Sequence, residues 1–340
     1  MNEFDLIKRL RVLADDKGSA SGLVRGIGDD AAVFRSFIGT DVVVSSDLLV
    51  EDIDFRLDTT NPNLLGHKSL AVSLSDIAAM AARPRWALLS IGLPTHTWES
   101  NFLEQFHEGF FKLADRYGVK LIGGDISRTP DKIAIDSIVI GECLLDREVF
   151  RSGARPGDQI YVTGYLGDAA AGLRLLERGA RIHSAANGQP DGNSVDHLLL
   201  RHLQPEPRVG WGILLGDQRL ATAMIDISDG LSSDLNHLCD ESKVGAIVDA
   251  ARLPIDHVVK EICGRRALDP LMLALHGGED FELLFTVSPQ NISRLPKKVD
   301  GISISRIGEI TSESVKIRVT EKDRVWDLEA GGFAHFNSST

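Results

Sequence analysis

The chain has few of the features that mark several large classes of protein. Its 340 residues include only three cysteines and no CxxC pair, so neither a disulfide framework nor a structural zinc site is supported. No apolar run approaches the roughly 18 residues of a membrane span. Residues 1–18 have the pattern of a short amphipathic helix containing acids, unlike a signal peptide. We therefore expect a cytoplasmic protein with no membrane association.

Positive charge is also scarce. The 37 Lys and Arg residues face 49 Asp and Glu residues, and the net charge of -12 argues against nucleic acid as a partner. A phosphate-bearing ligand would need a bridging cation. The sequence contains no GxxxxGK[ST] motif, which excludes a P-loop kinase, and it lacks the glycine-rich loop, HRD and DFG motifs of protein kinases.

Strand-like and helix-like runs alternate along the chain, which favours an α/β or α+β layered fold. A Gly/Pro turn at 151–158 interrupts this pattern, so we predict an N-terminal domain over 1–148 and a C-terminal domain over 149–340. The polar stretch 183–194 is typical of a surface loop. Helices are predicted at 61–82 and 97–117, from Asp168, and near Val195 and Pro207. Strands are predicted at 41–46, 86–93, 119–122, 133–140, 159–163, 222–225, 246–248, 281–287, 302–307, 315–319 and 325–328.

Aspartates recur at the ends of apolar runs, beside Gly or Ser. The segments are GIGDD at 26–30, SSD at 45–47, SD at 75–76, GGD at 123–125 and DISDG at 226–230. Each alone is common turn chemistry. Together they provide the oxygen ligands that Mg2+ prefers, with room for water and phosphate oxygens in its octahedron.

The GIGDDA segment also fits the dinucleotide-binding fingerprint, with Asp47 near the customary distance. Two carboxylates in the turn argue against that interpretation, because unit charges about 4 Å apart interact by roughly 4 kcal/mol at an effective dielectric near 20. Without a metal this turn would repel a pyrophosphate. Asp76 is a second indication of function, because it interrupts an apolar helical pattern where an unpaired carboxylate is costly if buried. Glycine turns at 123–124, 164–167 and 277–278 could present backbone N–H groups to anions.

Longer segments carry a resemblance to a known family. They are GIGDDAAV at 26–33, SSDLLVEDIDF at 45–55, SLSDIAAMAARP at 73–84, LIGGDISR at 121–128, RSGARPGDQIYVTGYLGDAAAGL at 151–173, AMIDISDGLSSDL at 223–235 and HGGEDFELLFTV at 276–287. The chain resembles the thiamine-monophosphate kinases, which belong to the aminoimidazole ribonucleotide synthetase superfamily. The resemblance implies a homodimer whose N-terminal domains share a β-barrel, with a C-terminal α/β layered domain. It also implies that ATP and several Mg2+ ions lie between the domains, and that thiamine monophosphate is the substrate.

The resemblance also implies roles for individual residues. The expected metal ligands or their supports are Asp30, Ser45, Ser46, Asp47, Asp76, Asp125, Asp226 and Asp229. The expected nucleotide contacts are Gly124, Asp125, Arg151 and Ser228, and the residues with catalytic roles are Asp47, Asp76, Asp125 and Arg151. Asp54 and Glu279 match positions that face the substrate. Ala330 stands where the family usually has an aromatic residue, and Trp326 or Phe333 could replace it.

The acceptor is already a phosphate dianion at neutral pH, so no general base is needed. We therefore expect the aspartates to hold Mg2+ for a direct, in-line transfer of the γ-phosphate. Two alternatives remain at this point. One is a sister enzyme of the superfamily, although selenophosphate synthetase commonly carries an N-terminal Cys and the first cysteine here is Cys143. The other is an acidic module that binds Ca2+ or a basic protein.

Overall fold

The structure is a computed structural model of the chain, described for residues 12, 23–25, 33–34, 38–182, 194–266, 268–313 and 316–331. Most of the predicted N-terminal helix, Asp30 with its GIGDD segment, most of the polar stretch and Phe333 lie outside these residues. The chain divides into two compact units, Met1–Ile77 with Ala82–Glu148, and Ala78–Ala81 with Val149–Thr340. Within the described ranges, no helix has the length and apolar character needed to cross a membrane.

The N-terminal unit is a mixed sheet with helices. Its strands are β1 (Leu23–Arg25), β2 (Val33–Phe34), β3 (Thr40–Val50), β4 (Arg83–Leu93), β5 (Lys120–Arg128) and β6 (Ala134–Leu144), and its helices are α1 (Pro62–Ala79), α2 (Thr95–Trp98) and α3 (Phe102–Tyr117). Four strands form one sheet in the order β3-β6-β4-β5, in which only β4 and β5 run parallel. β1 pairs with β2.

Helix α1 begins where Asn61 accepts a hydrogen bond from the Leu64 N–H at 2.9 Å and Pro62 occupies the first turn. It crosses α3 at two glycines. A Cβ on Gly66 would lie 1.9 Å from the Phe106 carbonyl oxygen, and a Cβ on Gly109 would lie 1.8 Å from the Asn63 carbonyl oxygen. These glycines let the two backbones touch, and α1 is therefore buried along most of its length.

Strand β3 alternates between a covered and an exposed face, as a half-buried strand should. Leu49 is 7% exposed, whereas Val44 and Leu48 are 61% and 60% exposed. Ser45 and Asp47 share the face of Leu49. The strand also extends beyond the predicted 41–46, because the pairing with β6 continues in register from Thr40 to Val50.

The C-terminal unit is a larger mixed sheet flanked by helices. Its strands are β7 (Gln159–Thr163), β8 (Ala221–Ile227), β9 (Gly245–Asp249), β10 (Glu282–Val287), β11 (Lys298–Val299), β12 (Ile302–Thr311), β13 (Ile317–Glu321) and β14 (Arg324–Asp327), and its helices are α4 (Asp168–Glu177), α5 (Ser194–Leu203), α6 (Val209–Asp217), α7 (Leu231–Ser242), α8 (His257–Arg266) and α9 (Pro270–His276). The strand order is β14-β13-β9-β12-β7-β10-β8, with β11 beside β12. Only β9 and β13 run parallel.

The two-domain α/β class expected from the sequence agrees with this architecture, and no closed barrel is found among the described strands. The predicted helix 97–117 is wrong in one respect, because it is divided into α2 and α3. The Ser100 hydroxyl donates to the Thr97 carbonyl at 2.7 Å and accepts from the Phe102 N–H at 3.1 Å, so it replaces helical backbone bonds at the break. Helices α7, α8 and α9 were not predicted from the sequence.

Candidate functional site

Three of the expected metal ligands meet in the N-terminal unit. Ser45 and Asp47 come from the covered face of β3, and Asp76 comes from α1. The Ser45 hydroxyl donates a hydrogen bond to an Asp76 carboxylate oxygen. Burial raises the pKa of Asp47 to about 7, and the negative charges of Asp76 and Asp136 add to that increase. This cluster, Ser45, Asp47 and Asp76, is called the acidic cluster below.

The acidic cluster has the properties of a Mg2+ site. The Asp47 Oδ2 atom is buried and accepts no hydrogen bond within the described part of the chain. Since the negative charge of Asp76 raises the pKa of Asp47, the pair is short of positive charge, and a divalent cation would supply it. Two carboxylates and a hydroxyl also match the preference of Mg2+ for oxygen ligands. The residues present therefore fit the metal that the sequence led us to expect.

Ser46 lies apart from the acidic cluster. It points from the exposed face of β3, where its hydroxyl donates to Asp136 Oδ1 at 2.9 Å. Strand alternation separates it from Ser45 and Asp47, its neighbours in sequence. Within a single described chain, Ser46 is therefore placed to bind Asp136 and not the ligands of the acidic cluster.

Gly124 and Asp125 lie on β5, at the opposite edge of the sheet from β3. The register runs from Asp47 through Ser137 and Leu89 to Gly124, which is three strand spacings or about 14 Å. Asp125 is exposed, and its Oδ1 accepts from the Ile126 N–H at 2.9 Å. Local packing explains why position 124 is a glycine, because a Cβ there would lie 1.9 Å from the Leu89 carbonyl oxygen. The described chain does not bring these two residues to the acidic cluster.

Asp54, expected to face the substrate, closes the turn after β3. Its Oδ2 accepts from the Val50 N–H at 2.8 Å, and the residue is half-buried. This bond fixes the turn. The other carboxylate oxygen of Asp54 takes no part in this hydrogen bond.

A second group of expected residues meets in the C-terminal unit, at the end of β8. Asp226 is 3% exposed within this strand, and Ser228 and Asp229 follow it. The Ser228 carbonyl accepts from the Glu279 N–H at 2.7 Å, which joins this turn to the GGED turn. Glu279 has a positive φ of 64°, and His202 Nδ1 lies 2.8 Å from its Oε2. Ser228, Asp229 and Glu279 are thus neighbours, and His202 is a contact that the sequence did not indicate.

Asp234 is a further residue that the sequence reading missed. Its Oδ2 accepts from the N–H groups of Asp229 and Gly230, at 3.2 and 3.0 Å. Burial raises the pKa of Asp234 to about 7, the Asp229 carboxylate adds to the increase, and the charge of Arg151 opposes it. Arg151 therefore lies within electrostatic range of the Asp229 turn. The SDGLSSD spacing, which places an acid in the first turn of α7, could have indicated this capping role.

Two buried acids, Asp280 at the end of the GGED turn and Glu282 at the start of β10, have structural partners. Asp280 accepts from the N–H groups of Gly167 and Ala169, at 2.7 and 3.1 Å, and so caps the start of α4 from a distant segment. Burial raises the pKa of Asp280 to about 7. Glu282 bonds Arg208 and Arg201, and although burial acts to raise its pKa, the two guanidinium groups hold the pKa below its usual value.

Ala330 is exposed at the end of the described chain. The next residue, Gly331, donates its N–H to the Ser232 hydroxyl at 3.2 Å, and this hydroxyl lies 2.8 Å from His276 Nδ1. Trp326 packs against the core of the C-terminal unit. An indole used in this way is a poor substitute for an aromatic residue missing from the surface at Ala330.

Comparisons with known proteins place the chain in a family. Residues 28–143 match the family model described as AIR synthase related protein, N-terminal domain, and residues 155–320 match the corresponding C-terminal domain. Thiamine-monophosphate kinase of Buchnera aphidicola subsp. Acyrthosiphon pisum is 38% identical over 318 residues, covering 92% of this chain and 93% of the relative.

Solved structures of this family are also similar to the chain. The crystal structure of thiamine-monophosphate kinase from Stenotrophomonas maltophilia K279a is 37% identical, with a TM-score of 0.81 over 97% of this chain and 98% of that chain. A structure described as AaThiL complexed with AMPPCP and TMP is 29% identical, with a TM-score of 0.74 over 96% of both chains.

Proposed function

This chain belongs to the thiamine-monophosphate kinase family of AIR synthase related proteins, and from that membership we propose that it transfers the γ-phosphoryl group of ATP to thiamine monophosphate, giving thiamine diphosphate and ADP. The named relatives and the complex of AaThiL with AMPPCP and TMP support both substrates. The observation in this chain that carries the proposal is the acidic cluster, where half-buried Asp47 lies beside Asp76 and its buried Oδ2 atom has no hydrogen-bond partner in the described residues.

Two phosphate groups must approach each other in this reaction, and both are negatively charged at neutral pH. Mg2+, when bound, neutralises phosphate charge and stabilises the leaving diphosphate. Ser45, Asp47 and Asp76 would hold it in the N-terminal unit. Asp226 and Asp229 provide carboxylates in the C-terminal unit, and we retain Asp30 and Asp125 as proposed ligands on the strength of the family resemblance.

The acceptor dianion needs no proton removed, so the carboxylates serve to position cations and not as general bases. Arg151 would add a fixed positive charge near the Asp229 turn. Direct in-line transfer predicts that no phosphate becomes attached to the protein. A single turnover with γ-labelled ATP therefore leaves the chain unlabelled, and recovery of labelled protein would contradict direct transfer.

We propose a homodimer in which β3 adds to the sheet of a second copy. β3 pairs only with β6 among the described strands and ends the sheet. Its outward face exposes Val42, Val44 and Leu48, at 42%, 61% and 60%. An apolar edge strand of eleven residues is an aggregation hazard unless it is covered. A β-barrel formed jointly by two copies of the chain would cover β3.

The dimer is tested by light scattering on wild-type protein and on Val44→Lys. We expect a dimer for the wild type and a monomer for the variant, because a lysine at position 44, on the exposed face of β3, would lose its hydration in the dimer interface. Lys120→Gln, on the other edge strand, is the matched control and should remain dimeric. A wild-type monomer would contradict the dimer, and a dimeric Val44→Lys protein would exclude this face as its interface.

The kinase activity is tested by incubating the protein with ATP, Mg2+ and thiamine monophosphate and separating the products. We expect Asp47→Asn to lose turnover, and Asp115→Asn, an exposed acid on α3, to keep it. Full activity of Asp47→Asn at ordinary Mg2+ concentrations would contradict the ligand role. Phosphorylation of another acceptor, with none of thiamine monophosphate, would favour a sister enzyme.

A further inference from the structure

We propose that the C-terminal unit contains a separate site for a transition-metal cation of the Zn2+ type, formed by Asp168, His197 and Asp256. Asp168 begins α4, His197 lies in α5, and Asp256 immediately precedes α8. One carboxylate oxygen from each aspartate and one ring nitrogen of the histidine lie within 4.8 Å of one another. This site shares no residue with the acidic cluster and does not depend on the proposed kinase activity.

The side chain of Asp168 is the strongest sign of a missing cation. The residue is 1% exposed, and neither of its carboxylate oxygens has a hydrogen-bond partner within the described ranges. The Arg201 guanidinium Nε lies 3.8 Å and the imidazole Nε2 of His197 lies 3.9 Å from its Oδ2, both beyond hydrogen-bonding distance. A buried carboxylate without such partners is costly, and direct coordination to a cation would remove that cost.

Arg201 satisfies Asp168 only in part, because its Nε atom, which faces Asp168, stays 3.8 Å away and makes no hydrogen bond within the described ranges. Its Nη2 bonds Glu282 Oε1 at 2.8 Å, and Arg208 also bonds Glu282. Burial raises the pKa of Asp168 to about 7, the charges of Asp256 and Glu282 reinforce the increase, and Arg201 and Arg208 oppose it. The region around Asp168 therefore has more carboxylates than nearby cations can neutralise.

The chemical nature of the three ligands indicates which class of metal would bind. An imidazole nitrogen with two carboxylates is typical of Zn2+ and similar cations, whereas Mg2+ prefers oxygen ligands alone. Burial and the charge of Arg201 hold the pKa of His197 below its usual value. The neutral imidazole is the form that binds metal ions.

Metal binding requires the ligand atoms to move closer together, and part of this movement falls on an exposed side chain. Adjacent ligand atoms around tetrahedral zinc lie about 3.3 Å apart. The distance of 3.9 Å from His197 Nε2 to Asp168 Oδ2 can shorten by rotation of the His197 side chain, which is 52% exposed. Asp256 Oδ1 accepts from the Val258 N–H at 2.8 Å and lies 2.9 Å from His257 Nδ1. The second oxygen of Asp256 can serve the metal without loss of that cap.

The test is calorimetric titration of the full chain with Zn2+, in an excess of Mg2+ that fills the acidic cluster. The variants are His197→Gln and Asp256→Asn, which leave the buried Asp168 and the folded core intact, since an asparagine can still cap α8. His237→Gln, an exposed histidine on α7, is the matched control. A thermal scan of each protein with and without Zn2+ is the second readout.

We expect the wild type and His237→Gln to bind one Zn2+ that Mg2+ does not displace, with a raised unfolding temperature. His197→Gln and Asp256→Asn should each bind Zn2+ at least about 10-fold more weakly, with the thermal gain reduced accordingly. Unchanged affinity in both variants would overturn the site, as would a wild type that takes up no Zn2+ in the presence of Mg2+. Loss of kinase activity with Zn2+ binding intact would count only against the proposed function.

Discussion

Replacing Asp47 by asparagine should stabilise the metal-free protein, although it removes a residue proposed to be essential. Burial beside Asp76 raises the pKa of Asp47 from 3.8 to about 7. The folded protein thus resists ionising this group, and its ionisation opposes folding. The cost begins above pH 4, grows as the pH rises, and is complete above about pH 7, where it reaches up to about 4 kcal/mol. Asparagine does not ionise, so Asp47→Asn removes this cost.

The assay is thermal unfolding in a chelator at pH 8 and at pH 5, with Asp115→Asn as control. For a unit of this size the relief corresponds to a higher unfolding temperature for Asp47→Asn, on the order of 10 °C at pH 8. The gain should fall by more than half at pH 5. Added Mg2+ should stabilise the wild type more than the variant. A variant that is less stable than wild type at pH 8 without metal, or a gain that does not change with pH, would refute the electrostatic reasoning.

Three further outcomes follow from the packing. Glu282→Gln should lower the free energy of unfolding by about 3–5 kcal/mol in denaturant titration, because Arg201 and Arg208 lose a buried partner; an effect below 1 kcal/mol would contradict this. Gly66→Ala should cost about 1–3 kcal/mol or more in the same measurement, since its Cβ would strike the backbone of α3; unchanged stability would show that the helices separate freely. Ala330→Trp should lower the KM for thiamine monophosphate by several fold, as one aromatic contact contributes about 1 kcal/mol, and an unchanged KM would exclude Ala330 from the substrate site.

Local sequence patterns predicted the element types well where the periodicity was strong. Strand β7 was predicted with its observed bounds, and α1 differs from its prediction by only a few residues at its end. Alternation along β3 could also have separated Ser46 from Ser45 and Asp47, because neighbouring residues of a strand face opposite sides.

Other features depend on contacts that no local pattern contains. The order β3-β6-β4-β5, which separates Asp47 from Asp125, is set by long-range pairing. Asp280 caps a helix that begins over a hundred residues earlier, so its burial could not be read from the GGED turn. The start of α9 was recoverable, since Asp269 caps it and Pro270 stands in the first turn.

The most direct test of the account is the product formed from ATP and thiamine monophosphate by purified protein with Mg2+. The account predicts thiamine diphosphate and ADP in equal amounts, with no product from Asp47→Asn and unchanged yield from Asp115→Asn. Failure of the folded wild-type protein to form thiamine diphosphate under these conditions would contradict it.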